Sequence, residues 1–322
     1  MNKQQFLEQL KLKLSNKMNQ EEMNSILDYY DGYIDEAIDF GLNEEEAIEN
    51  IGNLDQLVDD LLIGLKEEQI DTTSRELIVS DSAKKNLLDV QVKNTKLIID
   101  YQPIEKIAIK VPRQIKDEYF VKQDDQSIVV RQSERLKPFV KERILYITIP
   151  LNLNVESYFK TSNASINVEG NHHFQQAFNL IETKNGKVSV KDMELNETKM
   201  TTTNSNIELE NVEGQQLQVE STNGKIKIKG GSSHKIRVQT SNAKIELADH
   251  LFQQARLITT NSKIKVKLLP TPNQLEISYH TSNAKVKIKG EKLGSVGNYA
   301  IEGIPPVNDL EIYTTNGKIE VE

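Results

Sequence analysis

Six lysines occupy one fixed place in a repeated phrase, two residues after an asparagine: Lys187, Lys225, Lys244, Lys263, Lys285 and Lys318. Ammonium groups recurring at constant spacing could hold a linear polyanion or an anionic membrane surface, and Lys229, Lys267 and Lys289 extend the same face. The competing reading is a solvated face that resists aggregation. Other groups able to do chemistry are sparse. His172, His173, His234, His250 and His280 have no carboxylate partner at metal-ligating spacing, and His172-His173 reads as a loop dipeptide. There is no phosphate-binding loop and no nucleophile elbow. Paired carboxylates, as used on polysaccharides, are not evident, because Glu208, Lys227, Glu246 and Lys265 alternate in sign. No catalytic residue, metal, cofactor or nucleic-acid partner is expected.

The asparagines are the frame for these lysines. A Thr/Ser-rich pair, Asn and a small residue recur at Asn163, Asn185, Asn204, Asn223, Asn242, Asn261, Asn283 and Asn316. The gaps are 22, 19, 19, 19, 19, 22 and 33 residues. A period near twenty predicts a stacked, quasi-one-dimensional architecture. The third and fifth residues after each Asn are aliphatic, as in Ile226 and Ile228, which is a strand with one buried face. Asn-Gly hairpins are the alternative, but Asn-Ala and Asn-Ser fill five repeats and suit a type I′ turn poorly. The expectation is a mainly β protein: a single-stranded parallel β-solenoid, regular from about residue 155, preceded by a small all-α four-helix module. Weaker alternating strands over 75–150 are expected to start the same solenoid, and the Gly- and Pro-containing insertion between Asn283 and Asn316 reads as a loop excursion.

Neighbouring coils place equivalent residues side by side. The sign alternation four residues after Asn is what stability selects. The lysine column two residues after Asn opposes stability, since like charges about 5 Å apart repel by up to ~1 kcal/mol in water. It is therefore the part of the repeat marked for function.

The helical segment announces itself by its caps. Asn2/Gln5, Asn19/Glu22, Asn43/Glu46 and Asn53/Gln56 each have capping-box spacing, and Gly41 and Gly52 fall where helices should stop. Tyr29, Tyr30 and Tyr33 cluster on the second helix, either as core or as a docking surface. The expected division is a docking module at 1–68, a linker at 69–74 and the solenoid at 75–322. Residues 1–70 carry 17 acids and 5 lysines, while the rest carries 31 acids and 35 bases, so the modules differ in sign. The chain has no Cys, no signal-peptide pattern and no long apolar span, and a cytoplasmic location is expected, with envelope association as the variant.

Residues 1–66, with Leu27-Asp-Tyr-Tyr-Asp-Gly-Tyr33 and Gly41-Leu-Asn-Glu-Glu-Glu-Ala-Ile48, resemble the HAAS module, close to DUF1700. Residues 75–322, with the Thr-Thr/Ser-Asn-Gly/Ala/Ser-Lys-Ile phrase, resemble the DUF4097 adhesin-like β-solenoids. The combination is similar to LiaX-like envelope-stress proteins of Gram-positive bacteria. The resemblance implies a non-enzymatic interaction protein in envelope-stress signalling, with residues 1–66 docking a protein regulator. It supplies no catalytic residues. An anionic envelope polymer, a membrane lipid or an antimicrobial peptide on the solenoid faces is the alternative ligand.

Overall fold

The computed structural model describes residues 1–65, 75–82, 86–137, 140, 142–170, 179–269 and 273–322. The expected linker at 69–74 and the His172-His173 pair lie outside the described residues.

Four helices open the chain: α1 (Lys3–Leu14), α2 (Gln20–Asp39), α3 (Glu44–Ile51) and α4 (Leu54–Leu65). Asn2, Asn19 and Asn43 each make both halves of a capping box. At α4, Asn53 Oδ1 accepts from the Gln56 N–H at 3.2 Å. Gly41 and Gly52 take φ of +102° and +96°, a region that favours glycine, and so end α2 and α3. Phe6, Leu10, Tyr30, Tyr33, Ile34 and Val58 fill the core between the helices.

The remaining chain forms one mainly parallel sheet system around a continuous aliphatic core. Parallel in-register pairing of Val188–Thr202, Ile207–Ser221 and Ile226–Thr240 excludes the hairpin alternative. The coils of Asn185, Asn204, Asn223 and Asn242 turn at the Asn corner and bend again seven residues later. That second bend uses left-handed backbone at Asp192, Asn211, Gly230 and Asp249, residue types that tolerate it. Inside the Asn corner, a buried Thr or Ser two residues before Asn donates to the neighbouring coil, as Thr202 does to Gly186 O (3.3 Å) and Thr240 to Gly224 O (3.4 Å).

The stacking order departs from the sequence order at both ends. The strands around Asn94 (Leu87–Gln91 and Lys96–Gln102) lie between those of 127–150 and those around Asn163. Likewise the last strands, Ile304–Thr314 and Ile319–Val321, lie between the Asn261 and Asn283 coils. The expected loop excursion after Asn283 is corrected. It contains two short strands, Glu291–Leu293 and Val296–Ile301, that cap the Asn283 coil antiparallel before the chain returns. The early strands also depart from a pure parallel coil, since Arg75–Ser82 and Tyr119–Gln123 pair antiparallel.

The inserted order has an electrostatic reason. Four residues after Asn, the spatial column reads Glu208, Lys227, Glu246, Lys265, Glu320, Lys287. Stacking in sequence order would have set Lys265 against Lys287; inserting Glu320 keeps the signs alternating throughout.

At three corners the small residue is glycine, and its N–H donates to the buried hydroxyl, as Gly224 N does to Ser221 Oγ (2.9 Å). A Cβ on Gly224 would sit 1.5 Å from the Ser205 carbonyl oxygen, whereas one on Gly294 meets nothing within 4 Å. Gly224→Ala is expected to destabilise the protein by about 2–3 kcal/mol through overpacking between coils. Gly294→Ala should be near neutral, and chemical denaturation of both variants measures the difference.

Candidate functional site

The asparagines form one unbroken ladder on the surface of the stack. Each side-chain N–H donates to the Oδ1 of the preceding coil at 2.7–2.8 Å, in the spatial order Asn94, Asn163, Asn185, Asn204, Asn223, Asn242, Asn261, Asn316, Asn283. An amide is both donor and acceptor, so the column satisfies itself, and aligned bonds polarise one another. Asn94 was not legible in the phrase, because Val92 stands two residues before it where the repeats have Thr or Ser, and buried Thr95 follows it where they have Gly, Ala or Ser. At that end Gln132 Oε1 replaces a coil and accepts from the Lys93 N–H at 2.9 Å.

The lysine column stands beside the ladder. In space it is longer than in sequence, with Lys225, Lys244, Lys263, Lys318 and Lys285 on five consecutive coils. Its expected lack of compensation is corrected. Glu246 is bridged by both Lys225 and Lys244, Glu320 by Lys263, and Glu208 by Lys187 at 2.6 Å. Hydrogen bonds from Lys225 and Lys244 hold the Glu246 carboxyl down at about 2. A hydrogen bond from Lys263 likewise lowers that of Glu320. The glutamates of the alternating column thus reach sideways to the lysines. They are outnumbered: over the five coils the face carries Lys225, Lys227, Lys229, Lys244, Lys263, Lys265, Lys267, Lys285, Lys287, Lys289 and Lys318 against Glu246, Glu320 and Glu322, with Asp249 beside Lys267 at 3.1 Å and Glu210 of the adjoining coil 3.9 Å from Lys229. The face remains strongly cationic.

The tyrosines of α2 are placed elsewhere than on a free surface. Tyr30 and Tyr33 are fully buried, and what covers them is this chain's own β domain. Phe120 packs into the helical core, 4.9 Å from the Tyr33 ring and 5.8 Å from that of Phe40. Tyr30 donates to Asp117 (2.7 Å), and Asn50 bridges the Tyr33 hydroxyl to the Tyr119 carbonyl. Tyr29 stacks edge-on against Tyr30 at 4.9 Å. Asp117 is paired with Lys137 at 2.7 Å, and Glu118 with Arg143 at 2.6 Å. Burial pushes the Glu118 carboxyl up while Arg143 opposes it. Docking through these three tyrosines is therefore corrected: they join the module to the solenoid. The missed signal was the Asp117-Glu118-Tyr119-Phe120 run, two acids and two aromatics in one short stretch.

On another face, a groove of about 760 Å³ is lined by Lys93, Arg131, Lys160, Glu182, Glu220 and a row of hydroxyls. Its acids are engaged, Glu182 with Lys160 (3.3 Å) and Glu220 with Lys199 (3.7 Å). Among the described residues no group of three or more His, Asp or Glu is arranged to hold a metal. Among them also, no helix is long and apolar enough to cross a membrane.

An acidic helical cap on a parallel β-solenoid with one lysine-rich face is the class of protein these features define. The Toastrack DUF4097 family model matches residues 66–322, and the HAAS model matches residues 5–60. The chain belongs to the Toastrack DUF4097 family. Among curated proteins none matches. Solved structures that match include a candidate adhesin from Bacteroides fragilis, 14% identical, covering 77% of this chain and 98% of that one, with a TM-score of 0.42. A candidate adhesin from Parabacteroides distasonis is 11% identical, covers 77% and 96%, and has a TM-score of 0.45. A candidate lipid-binding protein from the same species is 11% identical, covers 77% and 96%, and has a TM-score of 0.40.

His250 is a buried group whose chemistry is fixed by its neighbours. Its Nδ1 lies 2.7 Å from the Gly230 carbonyl and its Nε2 2.9 Å from the Ser233 hydroxyl, so the neutral ring donates to the first and accepts from the second. Burial lowers its pKa, with the Gly230 carbonyl opposing. The neutral form is favoured by folding, so its contribution is complete above the unfolded value of about 6.5 and is lost as pH falls below it. His250→Gln should remove that part of the decline in stability as pH falls below about 6.5. Denaturant titrations of the two proteins across this window measure it.

Proposed function

We propose that this protein is a non-catalytic binding platform of the bacterial cell envelope, engaged in its stress response. Its lysine face takes phosphate-bearing polyanions, either an envelope polymer or an anionic lipid surface. The observation that carries this reading is the excess of lysine over glutamate on five consecutive coils. Lateral pairing offsets only part of the charge, and the inserted order gathers the lysines into one uninterrupted strip. Such a strip matches an extended array of phosphates, with no need for a closed pocket. The pairing of a HAAS module with a Toastrack solenoid supports the envelope-stress setting.

A second reading concerns the helical module. With the tyrosine face covered, a depression of about 680 Å³ between α1 and α2 remains open, with Leu7 and Leu27 among Glu8, Asp28, Asp31 and Glu44, and with Lys3 and Lys11 on its wall, Lys3 paired with Asp31 at 2.9 Å; the acids remain in excess. Its chemistry suits a basic amphipathic segment of a regulator. Glu8→Lys with Asp28→Lys should then abolish capture of that regulator while leaving the solenoid's far-ultraviolet spectrum unchanged.

Each lysine near an anionic surface contributes about 1 kcal/mol. Changing Lys225, Lys244, Lys263 and Lys285 together to Gln should weaken binding to phosphatidylglycerol vesicles by roughly a thousandfold. Binding to phosphatidylcholine vesicles should be absent in both proteins. Competition by soluble polyphosphate separates a polymer preference from a lipid one. Absent binding by the unaltered protein, or binding by the variant that equals it across a salt titration, overturns the reading.

A further inference from the structure

The two ends of the stack are finished differently. At the first end, the helical module packs over the 3-10 turn Arg113–Glu118 and the strand Tyr119–Gln123. At the other end, the last layer is the strand Val296–Ile301, which pairs antiparallel with Asn273–Thr281 on its inner side. Among the described residues nothing pairs with its outer side. The Thr281 N–H donates to the Ser295 carbonyl at 2.8 Å. In an antiparallel ladder, backbone groups of alternate residues point to the same partner. The N–H and C=O groups of Val296, Asn298 and Ala300 therefore point outward, away from the stack. All three residues are exposed, Val296 to 61%. The strand Val-Gly-Asn-Tyr-Ala-Ile has no charge and no Pro, so it lacks the usual devices that keep an open edge from pairing.

We propose that this edge pairs antiparallel with the same strand of a second copy of the chain, joining two stacks end to end about a twofold axis. Self-complementarity selects this occupant. A dyad normal to the sheet pairs residues facing the same side, and with Asn298 on the dyad Val296 meets Ala300 of the second copy. Gly297 then meets Tyr299, two residues whose inner face this chain already fills with the Tyr279 ring over Gly297. Asn298 meets Asn298, whose Oδ1 accepts from its own chain's Ser278 at 3.0 Å and keeps a second lone pair and the amide N–H groups for the partner. Glu302 falls opposite Gly294, so no like charges meet across the pair. The two acidic helical modules lie at opposite extremes of the doubled stack, where their mutual repulsion is screened. A twofold, isologous contact closes and does not propagate into fibres.

Sedimentation equilibrium of the full chain tests this. The unaltered protein should be a dimer. Asn298→Pro removes an outward N–H that no intramolecular backbone bond uses, together with the side-chain acceptor of Ser278 Oγ, and should give a folded monomer with an unchanged far-ultraviolet spectrum. Val296→Lys with Ala300→Lys sets lysine against lysine and should also give a monomer. Val296→Lys with Ala300→Glu sets lysine against glutamate and should remain a dimer. The last variant separates loss of pairing from loss of folding. A monomeric unaltered protein overturns the proposal, including one that captures a foreign strand at this edge. So does a dimer that survives both Asn298→Pro and the double-lysine change.

Discussion

Parallel in-register stacking requires that every side chain tolerate its own copy, or its column neighbour, one strand spacing away. That spacing is about 4.8 Å, and it repeats along the whole stack. Inward columns meet the demand with aliphatic groups, and the corner hydroxyls meet it by donating to the next coil. The asparagine column meets it with a group that is its own hydrogen-bond complement. Charged columns cannot be self-complementary. One alternates in sign, and the other draws on it sideways, so two columns are neutralised in part by one set of glutamates.

This coupling explains how much could be read from the residues. The solenoid, its asparagine corners and the four capped helices are set by local patterns with periods of 19, 2 and 3.6 residues, and such patterns survive in a linear sequence. The stacking order is not local. The sequence Lys265, Lys287, Glu320 held its trace, since only insertion of the last coil restores alternating signs. Asn94 was hidden because its neighbours serve the end of the stack: Thr95 bonds the Tyr119 hydroxyl at 2.8 Å instead of joining a repeat. The lysines looked unpaired because sequence spacing gives the column but not the diagonal reach of a long side chain. The tyrosines of α2 were ambiguous for the same reason: a boundary residue becomes core only when another part of the chain arrives.

The junction between helices and solenoid is held by polar contacts as well as by aromatic packing: Tyr30 to Asp117, Asn50 to the Tyr119 carbonyl, and Glu36 to the Ser133 hydroxyl and the Glu134 N–H. Asp117 and Glu118 are nearly inaccessible, and each has a dedicated cation. Separating a buried carboxylate from its partner is costly, on the order of 3–5 kcal/mol. Lys137 and Arg143 belong to the β domain itself, so the ion pairs brace the surface on which the module sits, and the module adds the Tyr30 hydroxyl to Asp117. The acidic exterior of the helices and the lysine strip of the coils are carried as parts of one body, with opposite signs displayed on different surfaces.

Insertion of Ile304–Val321 between two earlier coils changes how the stack can come apart. A simple repeat array frays from its tips, because the outermost unit touches only one neighbour. Here the segment Ile304–Val321 is flanked on both sides, and the outermost coil is tied to it through the strand Asn273–Thr281 and the antiparallel Val296–Ile301 that precede it. The mirror situation holds for the Asn94 coil at the other end. Neither tip can peel away without opening an interior layer. The array should therefore melt as one cooperative unit and lack the graded unzipping of an ordinary repeat protein.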